Sequence, residues 1–407
     1  MNIFLTLSFA LMIIIVLLRL KVQTGVCMLA GGIFIWLAQG ADFSALTTAF
    51  VEMLKLPRTY DIIFALYFVT CLEIELRTSG VLGDMVSALR RKFSNVKVLL
   101  SIMPAFLGLL PSVGGARFSA PIVQELDKNL NLAPEHKSAI NFFFRHIFEF
   151  SSPIIPGMVM ACSIAGVAFS EFLRHLSWVT ILAFSVGWLI LIRPIKNLRG
   201  SKNLESAEEI LHERQGLFLA LIPVATIFLI VVFAGLKASV STFIVVAAMY
   251  FVLKFFGRAV DVKKIFVGAI DLKMVLTVCG ILYFVQILEV TEVLSAIVAA
   301  FQASTFPVPV IIAGISFIVG ILTGMSQGHV AMVMPIVAAM GTGNLDLAGV
   351  AMVFGVAGQM LTPTHVCLII TVDYFKADLL KTLLPILICE ILITIIFSVY
   401  SFLTWTY

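Results

Sequence analysis

The sequence predicts an all-α polytopic membrane protein built from two inverted repeats. Each repeat has five transmembrane helices, one of them broken, plus one re-entrant hairpin. Three observations carry this expectation. Hydrophobic residues make up 61% of the 407 and the mean hydropathy is +1.10, more apolar surface than a water-soluble core needs. The pattern Leu-Tyr-Phe-Val-x-x-Leu-Glu occurs at 66–73 and again at 282–289. Two long apolar runs, Gly108–Val123 and Gly320–Val337, are interrupted by glycines and hydroxyls, and both close on Pro-Ile-Val. Interrupted segments at matching places in two halves point to a transporter's binding site.

The first half reads as spans at about 2–18, 24–39, 60–76, 96–124 (broken) and 175–192. The second reads as 216–234, 238–254, 272–290, 307–339 (broken) and 382–404. The domains are then a first repeat over 1–195, a cytoplasmic linker over 196–215 and a second repeat over 216–407. Two further segments, about 138–169 and 348–371, bend at proline-rich centres. Treated as hairpins that enter and return, they put nineteen Lys and Arg on one side of the membrane and six on the other. Treated as crossings, they leave 14 against 11, which is no bias. Five crossings per half invert the second half relative to the first and put both termini outside the cell (inner) membrane. Met1–Leu18 lacks a basic leader and a small-residue cleavage site, and reads as a retained first helix.

Each broken helix and each hairpin brings one helix N-terminus toward the midplane, so four positive dipole ends favour an anion there. The net charge of +4 is spread over loops and indicates no nucleic-acid partner. Cys27, Cys71, Cys162, Cys279, Cys367 and Cys389 all fall in apolar runs without C-x-x-C spacing. They read as buried small hydrophobes rather than disulfides or metal ligands.

Pro-Ser-Val-Gly-Gly-Ala-Arg-Phe-Ser-Ala-Pro-Ile-Val at 111–123 and Phe-Arg-His-Ile-Phe-Glu at 144–149 resemble an uncharacterised prokaryotic integral-membrane family. That family is related to gluconate permeases and C4-dicarboxylate carriers within the ion-transporter superfamily. The resemblance covers essentially the whole chain and implies secondary transport by inverted repeats. Sodium-coupled dicarboxylate relatives carry Ser-Asn-Thr at their hairpin tips. Here the tips read Ser151-Ser152-Pro153 and Leu361-Thr362-Pro363-Thr364, which keep hydroxyls and lose the asparagine. Sodium at the tips and proton coupling both stay open.

Arg117, just after the Gly114-Gly115 break, would either fork onto a substrate carboxylate or pair with Glu149. Arg145 and Glu149 are four apart, so on a helix they share a face and pair. Alternatively Glu149, beside the tip, takes up and releases a proton. Together with His146 they form the coupling set. His329 and His365 either bind the anion and carry protons or simply bond between helices. Ser112, Ser119, Ser151, Ser152, Thr323, Ser326, Gln327, Thr362 and Thr364 supply neutral oxygens and an amide around the centre. The three histidines 146, 329 and 365 lack metal-site spacing, so no metal beyond sodium and no cofactor is expected. Glu73 and Glu289, which recur in the octapeptide, read as interfacial and structural.

The function expected is a secondary active transporter of a small organic anion, a carboxylate, driven by a proton or sodium gradient. It is not expected to be an enzyme, and no Walker A pattern supports ATP drive. Its partners are the small anionic substrate, the lipid bilayer and a second copy in a homodimer joined through 24–39 and 238–254. Two rival readings are a cation–proton antiporter, which fits Glu149, and a membrane-embedded enzyme acting on a lipid phosphate, which would want clustered acidic metal ligands.

Overall fold

A computed structural model describes residues 3–93, 95–109, 116–127, 130–196, 207–363 and 365–406. Apolar stretches rich in Leu, Ile, Val and Ala form helices because, in lipid, each backbone N–H and C=O must find its partner inside the segment. The first half runs α1 (Ile3–Arg19), α2 (Thr24–Gln39), α3 (Phe43–Lys55), α4 (Pro57–Thr78) and α5 (Val81–Lys92). It continues through α6 (Val96–Leu109), α7 (Ala116–Leu126), α8 (Pro134–His146), α9 (Pro156–Ala165) and α10 (Phe169–Gly187). The second half runs α11 (Ala207–Phe233), α12 (Ala238–Phe255), α13 (Val262–Gly268), α14 (Leu272–Val290) and α15 (Val293–Gln302). Then follow α16 (Val308–Thr323), α17 (Ser326–Met340), α18 (Leu345–Met360), α19 (Val366–Phe375) and α20 (Leu379–Thr404). The protein is an all-α polytopic membrane protein. Among the described residues, Phe169–Ile192, Leu211–Phe233, Ala238–Phe255, Val262–Val290 and Leu379–Thr404 are long and apolar enough to cross a membrane. The other spans read from the sequence fall on α1, α2, α4 and the two pairs α6–α7 and α16–α17.

The halves pack on each other reciprocally. Helix α2 lies on α14 as α4 lies on α12, and α7 meets α19 as α17 meets α9. Within each half the long broken element packs on the bent one, α6 on α8 and α16 on α18. Backbones approach closely at these contacts: a Cβ on Gly108 would strike the Arg145 carbonyl, and one on Gly358 the Phe317 carbonyl. The repeated octapeptide explains part of the exchange. Tyr67 donates its hydroxyl to the Phe266 carbonyl at 2.9 Å, and Tyr283 donates to the Leu46 carbonyl at 3.0 Å. Each tyrosine thus ties its span toward a short helix of the opposite half. Glu73 pairs with Arg77 at 3.1 Å and Glu289 with Arg58 at 3.8 Å, both partly exposed. The short helices α3 and α5 are amphipathic connectors that the reading of spans passes over.

Candidate functional site

Among the described residues, three interruptions of helix and the start of α7 bring polar side chains together in the interior. In the first half, α6 ends at Leu109 and α7 begins at Ala116. Ser112, Gly114 and Gly115 lie outside the described residues, as does the side chain of Arg117. In the second half, α16 stops at Thr323 because Gly324 takes φ +66, a left-handed conformation that glycine adopts without strain. Thr323 turns its hydroxyl back onto the Val319 carbonyl at 2.8 Å, closing that end. Helix α17 then starts at Ser326. The two bent elements supply the rest. Helix α8 tightens after His146 into a 3-10 turn, Ile147–Phe150, before α9; α18 ends at Met360 and α19 starts after His365.

The 3-10 turn overturns one sequence expectation. Arg145 and Glu149 do not pair, because Glu149 no longer follows the α-helical spacing that would put it over Arg145. Arg145 instead donates from Nη1 to the Ser119 hydroxyl at 3.3 Å and stands against the thiol of Cys367, while its Nε has no partner. No acidic side chain among the described residues pairs with it. Glu149 faces Ser326 and Gln359, with its Oε2 unpartnered. Gln359 is fully buried and neither atom of its amide has a partner.

His146 and His365 meet across the halves, Nε2 to Nε2 at 3.0 Å. Nδ1 of His146 is 2.7 Å from the Phe142 carbonyl, and Nδ1 of His365 is 3.1 Å from the Gly324 carbonyl. Three direct contacts join these elements, Ser119 to Arg145, His146 to His365 and His365 to Gly324, while Glu149 faces Ser326 and Gln359 across the cluster. Helix N-termini attend them. Ser326 is the first residue of α17, Gly157 in the first turn of α9 packs on Ser326, and His365 precedes α19. Each such end presents unpaired N–H groups and about half a positive charge.

The other expected residues lie around this cluster. Ser151 bonds Thr180 of α10 at 2.7 Å, and Ser152 accepts from the Ile154 amide at 3.4 Å. His329 is fully buried against Gly355, with both ring nitrogens unpartnered. Gln327, in the first turn of α17, is half-buried and Thr362, at the second tip, is buried, whereas Thr364 lies outside the described residues. Sequence reasoning missed Gln359 and Cys367 as members of the cluster. One nitrogen of each of His146 and His365, with Cys367 Sγ, all lie within 4.8 Å of one another.

A membrane-embedded bundle whose broken and bent helices meet at a buried cationic and amide-lined centre is the class that this architecture defines. The chain belongs to the family described as protein of unknown function (DUF401), which matches residues 4–404. No curated protein matches the sequence. Among solved structures, the fold is similar to that of the YdaH transporter of Alcanivorax borkumensis, a crystal structure reported to reveal an unusual topology. The TM-score is 0.60 at 14% identity, over 88% of this chain and 86% of that one.

Proposed function

We propose that this protein is a secondary active transporter of a small organic anion, a carboxylate, coupled to a proton or sodium gradient. The observation that carries the reading is Arg145: buried, without an acidic partner among the described residues, and set where helix N-termini gather. A buried guanidinium left without a counter-charge is costly, and an arriving carboxylate supplies one in the fork geometry that arginine suits. The likeness in fold to YdaH, described as a transporter, supports the same reading. So does the resemblance of the motifs at 111–123 and 144–149 to a family within the ion-transporter superfamily.

In this proposal the two halves are inverted repeats with both termini outside the inner membrane, and 138–169 and 348–371 are re-entrant hairpins. The hairpins and broken helices move as one body against a scaffold that includes α2 and α12, through which two copies dimerise. Ser119, Ser326, Gln359, His329 and His365 surround the anion with Arg145 and Arg117. Glu149 takes up and releases the coupling proton, and hydroxyls at the tips offer the alternative of sodium.

Reconstituted into proteoliposomes, the purified protein is expected to accumulate a labelled monocarboxylate or dicarboxylate from a panel of gluconate, lactate, succinate and citrate when a proton or sodium gradient is imposed. Sodium–proton exchange without any anion would replace this reading with the antiporter. Turnover of a lipid phosphate, with no flux, would replace it with the enzyme.

A further inference from the structure

His146 and His365 make three polar contacts in a row: carbonyl of Phe142 to Nδ1, Nε2 to Nε2, and Nδ1 to the carbonyl of Gly324. Each contact needs one hydrogen between its heavy atoms. Carbonyl oxygens only accept, so both Nδ1 atoms must carry theirs. Two neutral imidazoles bring two hydrogens in all, and both are then used on the carbonyls. The two Nε2 lone pairs would face each other at 3.0 Å with nothing between them. A third hydrogen resolves the conflict.

We propose that His146 and His365 form a single proton-binding site, shared between the two halves, that holds one hydrogen between their Nε2 atoms. The site differs from Glu149, and its proton acts as a latch. With the hydrogen present, the end of α8 is bonded to the residue that opens α19; without it, two lone pairs repel and the elements part. The surroundings suit a buried, structured proton. The Phe142 ring lies 4.6 Å from one imidazole and 5.0 Å from the other and shields the contact. Both histidines are buried.

Among the described residues, the charged and titratable groups that face the pair are few. From α8, the Arg145 guanidinium stands close to both rings. From α19, the Cys367 thiol stands beside them, with the Glu149 carboxylate acting on Cys367 from the 3-10 turn. The Arg145 guanidinium disfavours a metal here, and two nitrogens on one tetrahedral zinc would stand about 3.3 Å apart, further than these do.

The test is nitrogen NMR of the full-length protein, labelled with 15N-histidine, in lipid bilayers with EDTA, followed from pH 5 to 9. Substitution of His136, His175 and His212 by Gln leaves the three central histidines and simplifies the spectrum. The expected result is a range of pH in which the pair shows three protonated nitrogens, Nδ1 of both rings and one shared Nε2. In His365→Gln the shared signal is lost and His146 keeps a single proton on Nδ1. Should that variant fail to fold, the wild-type count of protonated nitrogens still decides. Two neutral rings at every pH, two protons that bind independently, or a signal that EDTA removes would each overturn the proposal. No substrate is added, so failure of the transport reading leaves this outcome unaffected.

Discussion

Glu149 and Gln359, from bent elements of opposite halves, face each other in the interior with Glu149 Oε2 and both amide atoms of Gln359 unpartnered. Buried polar atoms are nearly always satisfied, because an unmet donor or acceptor costs about 1–3 kcal/mol. In the proposed carrier, these unmet groups, beside an arginine with no acidic partner among the described residues, are where the anion is taken in. The unpartnered ring nitrogens of His329, buried on Gly355, extend that capacity to α17.

The guanidinium of Arg145 is the group on which an anion is expected to seat. Arg145→Lys keeps the charge and shortens the reach, and it removes the fork. Losing one charge-assisted hydrogen bond of about 1.5–3 kcal/mol corresponds to about 10- to 100-fold in affinity. Uptake measured at low substrate should fall by that factor while protein yield in the membrane stays near wild type. Unchanged uptake kinetics would remove Arg145 from the site.

Reciprocal tyrosines give a test of the repeat. Tyr67→Phe and Tyr283→Phe each remove one bond to a carbonyl of the opposite half. Each should lower unfolding free energy by about 1 kcal/mol, and the double variant by about the sum, since the two share no partner. Reversible unfolding in mixed micelles measures this. A large effect from one and none from the other would show that the two contacts are not equivalent.

Membrane orientation is tested at the two ends of α12. Lys237 caps the start of this 18-residue helix and Lys254 lies in its last turn, and both are exposed. At 1.5 Å per residue the helix is about 27 Å long, so the two ends fall on opposite faces of a bilayer. In intact cells, Lys237→Cys is expected to react with an impermeant maleimide and Lys254→Cys is not. The opposite pattern would turn both termini to the cytoplasm.

The membrane class and the breaks could be read from sequence because bilayer-length apolar runs and the glycines and prolines inside them are local signals. The sequence spans coincide with α1, α2, α4, α10 to α12, α14 and α20, and the second break falls at Gly324 as its glycines suggest. What escaped was set by distance along the chain and by one change of helix type. His146 and His365 are 219 residues apart, and nothing local to either states that they touch. Cys367 sits in an apolar run, where a cysteine reads as a packing residue. The spacing of Arg145 and Glu149 suggested a shared face, which the 3-10 turn after His146 removes.

That same turn sharpens what Glu149→Gln should do. Had Glu149 paired with Arg145, neutralising it would leave a buried arginine stranded and expression would suffer. In the structure Arg145 is held by Ser119 and Cys367, and Glu149 looks toward Ser326 and Gln359, so the substitution strands no charge. The variant is therefore expected to express and fold normally. Glutamine keeps the shape and some of the hydrogen bonding of a protonated glutamate but cannot gain or lose the proton. A carrier that uses this carboxyl for coupling would then lose accumulation against a gradient while still exchanging substrate across equilibrated membranes. Counterflow and proton-driven uptake, measured on the same proteoliposomes, separate the two activities. Loss of both together would make Glu149 a binding or structural residue, and proton-driven accumulation at the wild-type level would assign coupling elsewhere.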